Sequence, residues 1–284
     1  MTLSMAWIRR RPTGDELVFA SDSRLRGGES WDCSPKVLQL PRTDALISFA
    51  GKTYRAYPLM LQLVRAIGMY EPSRERRVPL PKVKGHALRV MNQMVSLISD
   101  LPKGQERPDD LYFEFILGGY SWQESKFRIW TLHRDERLDA LTFRSAVPWA
   151  GQGEGHKVLS IIGDVAEEAH ARLQELLGHK GKLGSGHLDM EPFEVLRDML
   201  RSGDFRTIGG APQVAKAYPS LQSALLPVSW PEKNGTPHAA GRPALTYEVF
   251  PIHALDPDSP ERSTAAEAEA LETEGEAGSN DDPG

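Results

Sequence analysis

The stretch MTLSMAWIRRRPTGDELVFASDSR, residues 1–24, decides how the rest of the chain is read. Leu3, Met5 and Trp7 alternate with Ser4 and Ala6, which is the two-residue period of a half-buried strand. Pro12-Thr13-Gly14-Asp15 is a turn, and it leads into a second strand over residues 17–21. A secretory leader needs an apolar core of about seven or more residues, and Arg9, Arg10 and Arg11 interrupt this one too early. The start is therefore expected to belong to the fold, with Thr2 directly behind Met1 and with Asp22 and Arg24 at the far end of a hairpin.

Outward from that hairpin, short strands are expected at 36–40 and 45–49, separated by the polar Pro41-Arg42-Thr43-Asp44. From Thr53 the period lengthens. Tyr57, Leu59, Met60, Leu63, Val64 and Ile67 fit one helix face, and Leu88, Val90, Met91, Met94, Leu97 and Ile98 fit another. Strands return at 111–117, 127–132 and 140–143. A helix carrying Val158, Ile161, Ile162, Val165, Leu173, Leu176 and Leu177 follows, then one carrying Phe193, Val195, Leu196 and Leu200. Extended stretches near 213–218, 224–230 and 245–251 close the order. Blocks of strands and blocks of helices, in place of βαβ alternation, predict an α+β protein with helices segregated onto sheets.

Composition narrows the function. With 284 residues and 40% apolar content the chain can bury a large core. No apolar run approaches the ~20 residues that cross a bilayer, so no membrane partner is expected. The single Cys33 excludes an intramolecular disulfide and a cysteine-based zinc cluster, and the eight histidines are scattered without a His-Glu-x-x-His. No metal, no cofactor and a cytoplasmic location are the expectation. A Gly-x-Ser-x-Gly elbow is absent from the sequence as well.

Charge is unevenly spread. Residues 256–284 hold ten acidic residues against Arg262, a balance of −9; the whole chain carries −5, so residues 1–255 carry +4. A folded domain over 1–255 and a disordered acidic tail over 256–284 are expected, since Leu271 is the tail's one large aliphatic residue. The basic cluster Arg74, Arg76, Arg77, Lys82 and Lys84 is too modest to imply a nucleic-acid partner.

Three stretches then take on meaning together: Ala20-Ser21-Asp22-Ser23-Arg24, Ser34-Pro35-Lys36-Val37 and Ser48-Phe49-Ala50-Gly51. In order and spacing they resemble the motif blocks of proteasome β-subunits and their bacterial ATP-dependent homologue, members of the N-terminal nucleophile hydrolases. The resemblance covers roughly residues 2–252, sharply in the first 60 and more loosely afterwards. It implies a four-layer αββα sandwich and a threonine-type peptidase whose nucleophile is Thr2, exposed as first residue by loss of Met1. Threonine suits that place, because a hydroxyl needs an adjacent base and only a first residue owns a free α-amine, with a reference pKa of about 7.7–8.0.

The resemblance also implies the roles of the other residues. Asp22 and Lys36 would pair beneath the nucleophile, with Arg24 bracing them, and the N–H of Gly51 would donate to a developing oxyanion. Arg201-Ser202-Gly203-Asp204-Phe205-Arg206-Thr207-Ile208-Gly209-Gly210 looks like the family's Asp-x-x-Ser-Gly-Gly, placing Asp204 and Thr207 beside the Thr2 amine. Ala150-Gly151-Gln152-Gly153-Glu154-Gly155 resembles the Gly-Ser-Gly that opens a later helix, but Gln152, or Ala150 in a shifted alignment, stands where the family has serine. Leu25, Ser34, Leu38, Phe49 and Thr53 match its first specificity pocket. The implied partners are a peptide or unfolded protein substrate and further copies of the chain in a ring, and an ATPase partner stays open. The missing serine leaves two alternatives: an inactive scaffold or regulatory subunit of the same fold, or an amidase for a small non-peptide substrate.

Overall fold

A computed structural model describes residues 2–27, 29–99, 112–146, 148–149, 157–184 and 187–261. As its alternation requires, β1 (Leu3–Arg9) pairs antiparallel with β2 (Glu16–Ser21), Ser4 facing Ser21 and Arg9 facing Glu16. The short pair β3 (Leu25–Arg26) and β4 (Ser30–Trp31) leads to a second hairpin, β5 (Val37–Gln39) and β6 (Ala45–Gly51). Helices α1 (Thr53–Met69), α2 (Glu71–Arg74) and α3 (Leu80–Ser96) follow. Then come β7 (Phe113–Ser121), β8 (Lys126–Asp135), β9 (Ala140–Ser145), β10 (Pro148–Trp149) and β11 (Lys157–Gly163). Next are α4 (Ala166–His179) and α5 (Glu191–Ser202). The described chain finishes with β12 (Gln213–Ala217), β13 (Ser223–Leu226), β14 (Val228–Trp230), β15 (Thr236–Ala239) and β16 (Arg242–Pro243).

Two antiparallel sheets carry the core, one in the order β10-β11-β1-β2-β12-β13 and the other β5-β6-β7-β8-β9. The class is the expected α+β. Period-two alternation sorts each strand's side chains onto two faces. Leu3, Met5 and Trp7 of β1 join Val18 and Ala20 of β2 against Leu173 and Leu177 of α4 and Phe193 and Leu196 of α5. On the sheet's other face, Ala6, Leu17, Phe19 and Ala215 meet Leu46, Ala50, Ile116 and Ile129 of the second sheet. That sheet's far side, with Ile47, Phe49, Phe115 and Leu132, takes Leu59, Met60 and Leu63 of α1 and Leu80, Val83 and Met91 of α3. Helices α1, α3, α4 and α5 thus each bury one amphipathic stripe, and the transfer of these side chains from water, about 1.5–3 kcal/mol apiece, holds the layers together.

Two sequence expectations need correction. Val158, Ile161 and Ile162 belong to strand β11 and not to the following helix, which starts at Ala166. Their β-branched side chains favour a strand, and the chain turns at Gly163, where φ is +120° and a Cβ would sit 1.8 Å from the carbonyl oxygen of Thr2. Residues 245–251 form no strand; Glu248 there pairs with Arg242 and accepts the N–H of Leu245, folding the segment into turns. Ala150, Gln152 and the rest of 150–155 lie outside the described residues. Because β11 intervenes between that segment and α4, it is Gly163-Asp164-Val165 that leads into the helix.

The folded part also runs past the expected boundary at 255, while 262–284, the rest of the expected tail, lie outside the described residues. Pro257 and Pro260 are buried, Arg197 donates to the carbonyl of Pro257 at 2.7 Å, and Arg201 pairs with Asp258 at 2.6 Å. Composition missed this because it sees the acidic run and not the arginines of α5 that receive it. Truncation after Leu255 is therefore expected to lower Tm by about 3–6 °C relative to truncation after Glu261, as loss of about 1–2 kcal/mol would in a chain of this size. Equal melting curves for the two truncations would show that residues 256–261 contribute nothing.

Candidate active site

Antiparallel pairing gathers one end of each strand into one place. Leu3 opposes Gly163, and Ser21 opposes both Ser4 and Gln213, so Thr2, Asp22, Asp164 and the segment before β12 meet at one end of the first sheet. In the second sheet Val37 opposes Ser48 and Gly51 opposes Phe113, which brings Lys36, Gly51 and Tyr112 to a common end. Ser4 Oγ ties the sheets together there by donating to the Phe49 carbonyl at 3.0 Å.

Asp22 is the hub. Its Oδ1 accepts from Lys36 Nζ at 2.8 Å and from the Leu3 N–H at 3.0 Å; its Oδ2 accepts the N–H groups of Arg24 at 3.0 Å and Gly209 at 3.1 Å. Four donors saturate a carboxylate with no exposed surface, and that is what makes its burial tolerable. Lys36, equally buried, also donates from Nζ to Thr2 Oγ1 at 2.8 Å. Burial pushes the Lys36 ammonium below the ordinary lysine range, and Asp22 opposes that shift. One cation therefore bridges a hydroxyl and a carboxylate away from water.

Thr2, buried in the chain that still carries Met1, donates its N–H to Asp164 Oδ1 at 2.7 Å. Neither Asp204 nor Thr207, the residues expected beside that nitrogen, makes a hydrogen bond to it. Asp204 is exposed just past the α5 C-cap, Gly203, and its N–H turns back to Ser202 Oγ; Thr207 is half-buried. What the 201–210 segment does bring to the site is the N–H of Gly209 on Asp22.

The Arg24 side chain acts one step away from the pair it was expected to brace. It forks onto both oxygens of Asp32 at 2.6 and 2.7 Å and donates to the carbonyls of Ile208 and Arg206, fastening the loop that carries Gly209. That bidentate bond holds the Asp32 carboxyl below the usual carboxylate range and raises the Arg24 guanidinium.

Gln213, which no motif flagged, uses its whole amide. Oε1 accepts the Lys36 N–H at 2.9 Å, while Nε2 donates to Ser34 O at 2.7 Å, Ser23 Oγ at 2.9 Å and Asp22 O at 3.3 Å. It pins the turn after β2 to the turn before β5.

Gly51 ends β6 at φ +108°, and a Cβ there would stand 2.3 Å from the Tyr112 carbonyl, so only glycine fits. Among the expected pocket residues, Phe49 is core, packed edge-on against Tyr57, whose phenol burial pushes up to about 12. Leu25 and Leu38 are half-buried against the same cluster, and Ser34 is buried. Thr53 opens α1 with its hydroxyl buried and without a partner among the described residues.

The described residues hold no cluster of three or more metal-ligating side chains, and none of their helices is long and apolar enough to cross a membrane. Two surface concavities, one lined by Glu168, Arg172 and Asp198 and one by Ile8, Tyr120 and Phe127, include none of the residues above. Set against known proteins, the chain matches no family model and no curated protein.

Proposed function

We propose that the chain is a threonine-type peptidase that cleaves peptide bonds with Thr2 once Met1 is removed. The observation that carries this reading is the buried Lys36 ammonium, 2.8 Å from both Thr2 Oγ1 and Asp22 Oδ1. A purely structural ion pair has no need of a hydroxyl on the second residue of the chain, whereas an N-terminal nucleophile needs a nearby cation. Helices covering one face of each sheet, with the other faces packed together, support the four-layer αββα arrangement that the resemblance implies.

In the proposed reaction the Thr2 hydroxyl proton passes to the neutral α-amine as Oγ1 bonds to the scissile carbonyl carbon. Lys36 stabilises the negative charge forming on Oγ1, and the Gly51 N–H donates to the carbonyl oxygen as it becomes an oxyanion. The C–N bond then breaks, the leaving nitrogen takes the proton from the ammonium, and an ester on Thr2 remains. Water, deprotonated by the same amine, hydrolyses that ester and restores the hydroxyl. The expected substrate is a peptide or unfolded protein, met within a ring of identical chains.

Intact mass tests the premise first: a protein retaining Met1 has no free Thr2 amine, and the scaffold alternative then stands. Addition of one acyl group from a β-lactone to a tryptic peptide beginning at Thr2 would support the nucleophile directly. Fluorogenic peptides set against small amides separate the peptidase from the amidase.

A charge preference follows from the pocket. Leu25, Leu38 and Thr53 offer no charge, so a charged side chain before the cut would be desolvated without a partner, at several kcal/mol. Cleavage after Leu is expected to exceed cleavage after Arg, Lys, Asp or Glu by about a hundredfold or more in a peptide library. The reverse order would remove these residues from the pocket.

A further inference from the structure

We propose that Asp164 is a positioning residue of this reaction: its carboxylate aims the Thr2 amine at Oγ1 and stabilises the ammonium formed when that amine takes the hydroxyl proton. The inference rests on the reading of Thr2 as an N-terminal nucleophile. It starts from three facts. The Thr2 nitrogen already donates to Asp164 Oδ1 at 2.7 Å. Gly163, paired with Leu3 and left without room for a Cβ by the Thr2 carbonyl, fixes the next residue, Asp164, against the start of β1. Asp164 itself is exposed, so water can solvate the carboxylate oxygen that the Thr2 nitrogen does not use.

A base held by a third group is the general design of an activated hydroxyl nucleophile. Here Oγ1 is the nucleophile, the amine the base and Asp164 the group that orients it. The other groups facing the site are already committed or uncharged. Asp22 is saturated by Lys36 and three backbone N–H groups, and Arg24 is held by Asp32. Tyr112, ahead of β7, has a phenol pushed up to about 12, first by burial and then by Glu114 and Asp164, so it is neutral at working pH. Two charges thus act on the amine in opposite senses: Lys36 disfavours the ammonium and Asp164 favours it.

The sign of the pH dependence follows. Turnover needs the neutral amine, so the acidic limb of kcat/KM reports its pKa. Asp164→Asn keeps an acceptor on the amine but removes the negative charge that favours its ammonium, while the Lys36–Asp22 pair stays as it was, and the limb should move to lower pH. On the plateau the rate should fall, because the ammonium of the transition state has lost its counter-charge.

The experiment compares Met1-free wild type with Asp164→Asn, measuring kcat and KM on a fluorogenic peptide across pH. In parallel, the pH midpoint of Thr2 amine acetylation by a pulse of acetic anhydride is read by mass spectrometry. The expected result is a drop of about one pH unit in both the acidic limb and the labelling midpoint. Plateau kcat should fall about ten- to a hundredfold with KM unchanged, the worth of one charge-assisted hydrogen bond. Asp164→Glu should return part of the limb shift. Equal midpoints in the two proteins, with turnover lowered uniformly or unchanged, would overturn the proposal while leaving the peptidase reading intact. A shifted midpoint in a wild type that cleaves no peptide would sink the peptidase and uphold the contact. Retention of Met1 would overturn both.

Discussion

Replacing Thr2 with Ala is expected to bring peptide hydrolysis to background, a loss of more than about a thousandfold, in a protein that still folds. The hydroxyl is the atom that bonds to substrate, and neither Ser4 nor Ser21 can substitute for it. Their Oγ atoms lie 2.7 Å apart and each 3.0 Å from a carbonyl, of Phe49 for Ser4 and of Leu3 for Ser21, so the two hydroxyl protons are shared among these acceptors. The substitution deletes one acceptor of Lys36 Nζ, which keeps Asp22. The cost to stability should be about 1–3 kcal/mol, a shift of a few degrees in Tm. Thr2→Ser keeps the nucleophile and should keep measurable turnover. Activity of the alanine variant above about one percent, in a preparation homogeneous by intact mass, would exclude Thr2 as the nucleophile.

The parts of this site legible in sequence are those inside the stretches that resemble a known family, with Asp22 in the first and Lys36 in the second. Asp22 and Lys36 flank apolar strands, where a charge must be solvated or paired, but the packing of one sheet on the other, which no strand pattern shows, brings them together. Asp164 was hidden by an ambiguity of period. Val158, Ile161, Ile162 and Val165 satisfy a 3.6-residue spacing as well as a buried strand, so the strand end and its exposed carboxylate were absorbed into a helix. Gln213 carries no charge and sits at the start of an ordinary strand, and a neutral amide shows its importance only once the groups it bonds surround it. The resemblance points to Asp204, but the glycine at φ +70° that ends α5 leaves it in solvent.

The hub description makes a stronger demand on stability than on activity, because it orders three variants. Asp22→Ala removes the carboxylate that pairs with a fully buried ammonium and also strips the N–H groups of Leu3, Arg24 and Gly209 of their acceptor. Breaking a buried pair costs about 3–5 kcal/mol, and each orphaned buried N–H adds about 1–3 kcal/mol unless water reaches it. Lys36→Met leaves Asp22 with three backbone donors still in place, so the abandoned charge remains partly satisfied and the loss should be smaller. Thr2→Ala costs Lys36 one neutral acceptor but leaves both charges and the bond between them in place. All three should be inactive, yet their melting temperatures should fall in the order Asp22→Ala, Lys36→Met, Thr2→Ala from lowest to highest. Asp22→Ala should lie about 10 °C or more below wild type, at about 2–4 °C per kcal/mol for a chain of this size. The double variant Asp22→Asn with Lys36→Met removes both charges together and should melt above Asp22→Ala. Were Lys36→Met instead the least stable of the set, the lysine would be holding the fold through contacts other than Asp22. The carboxylate would then not be the point at which both hairpins and the Gly209 loop are tied.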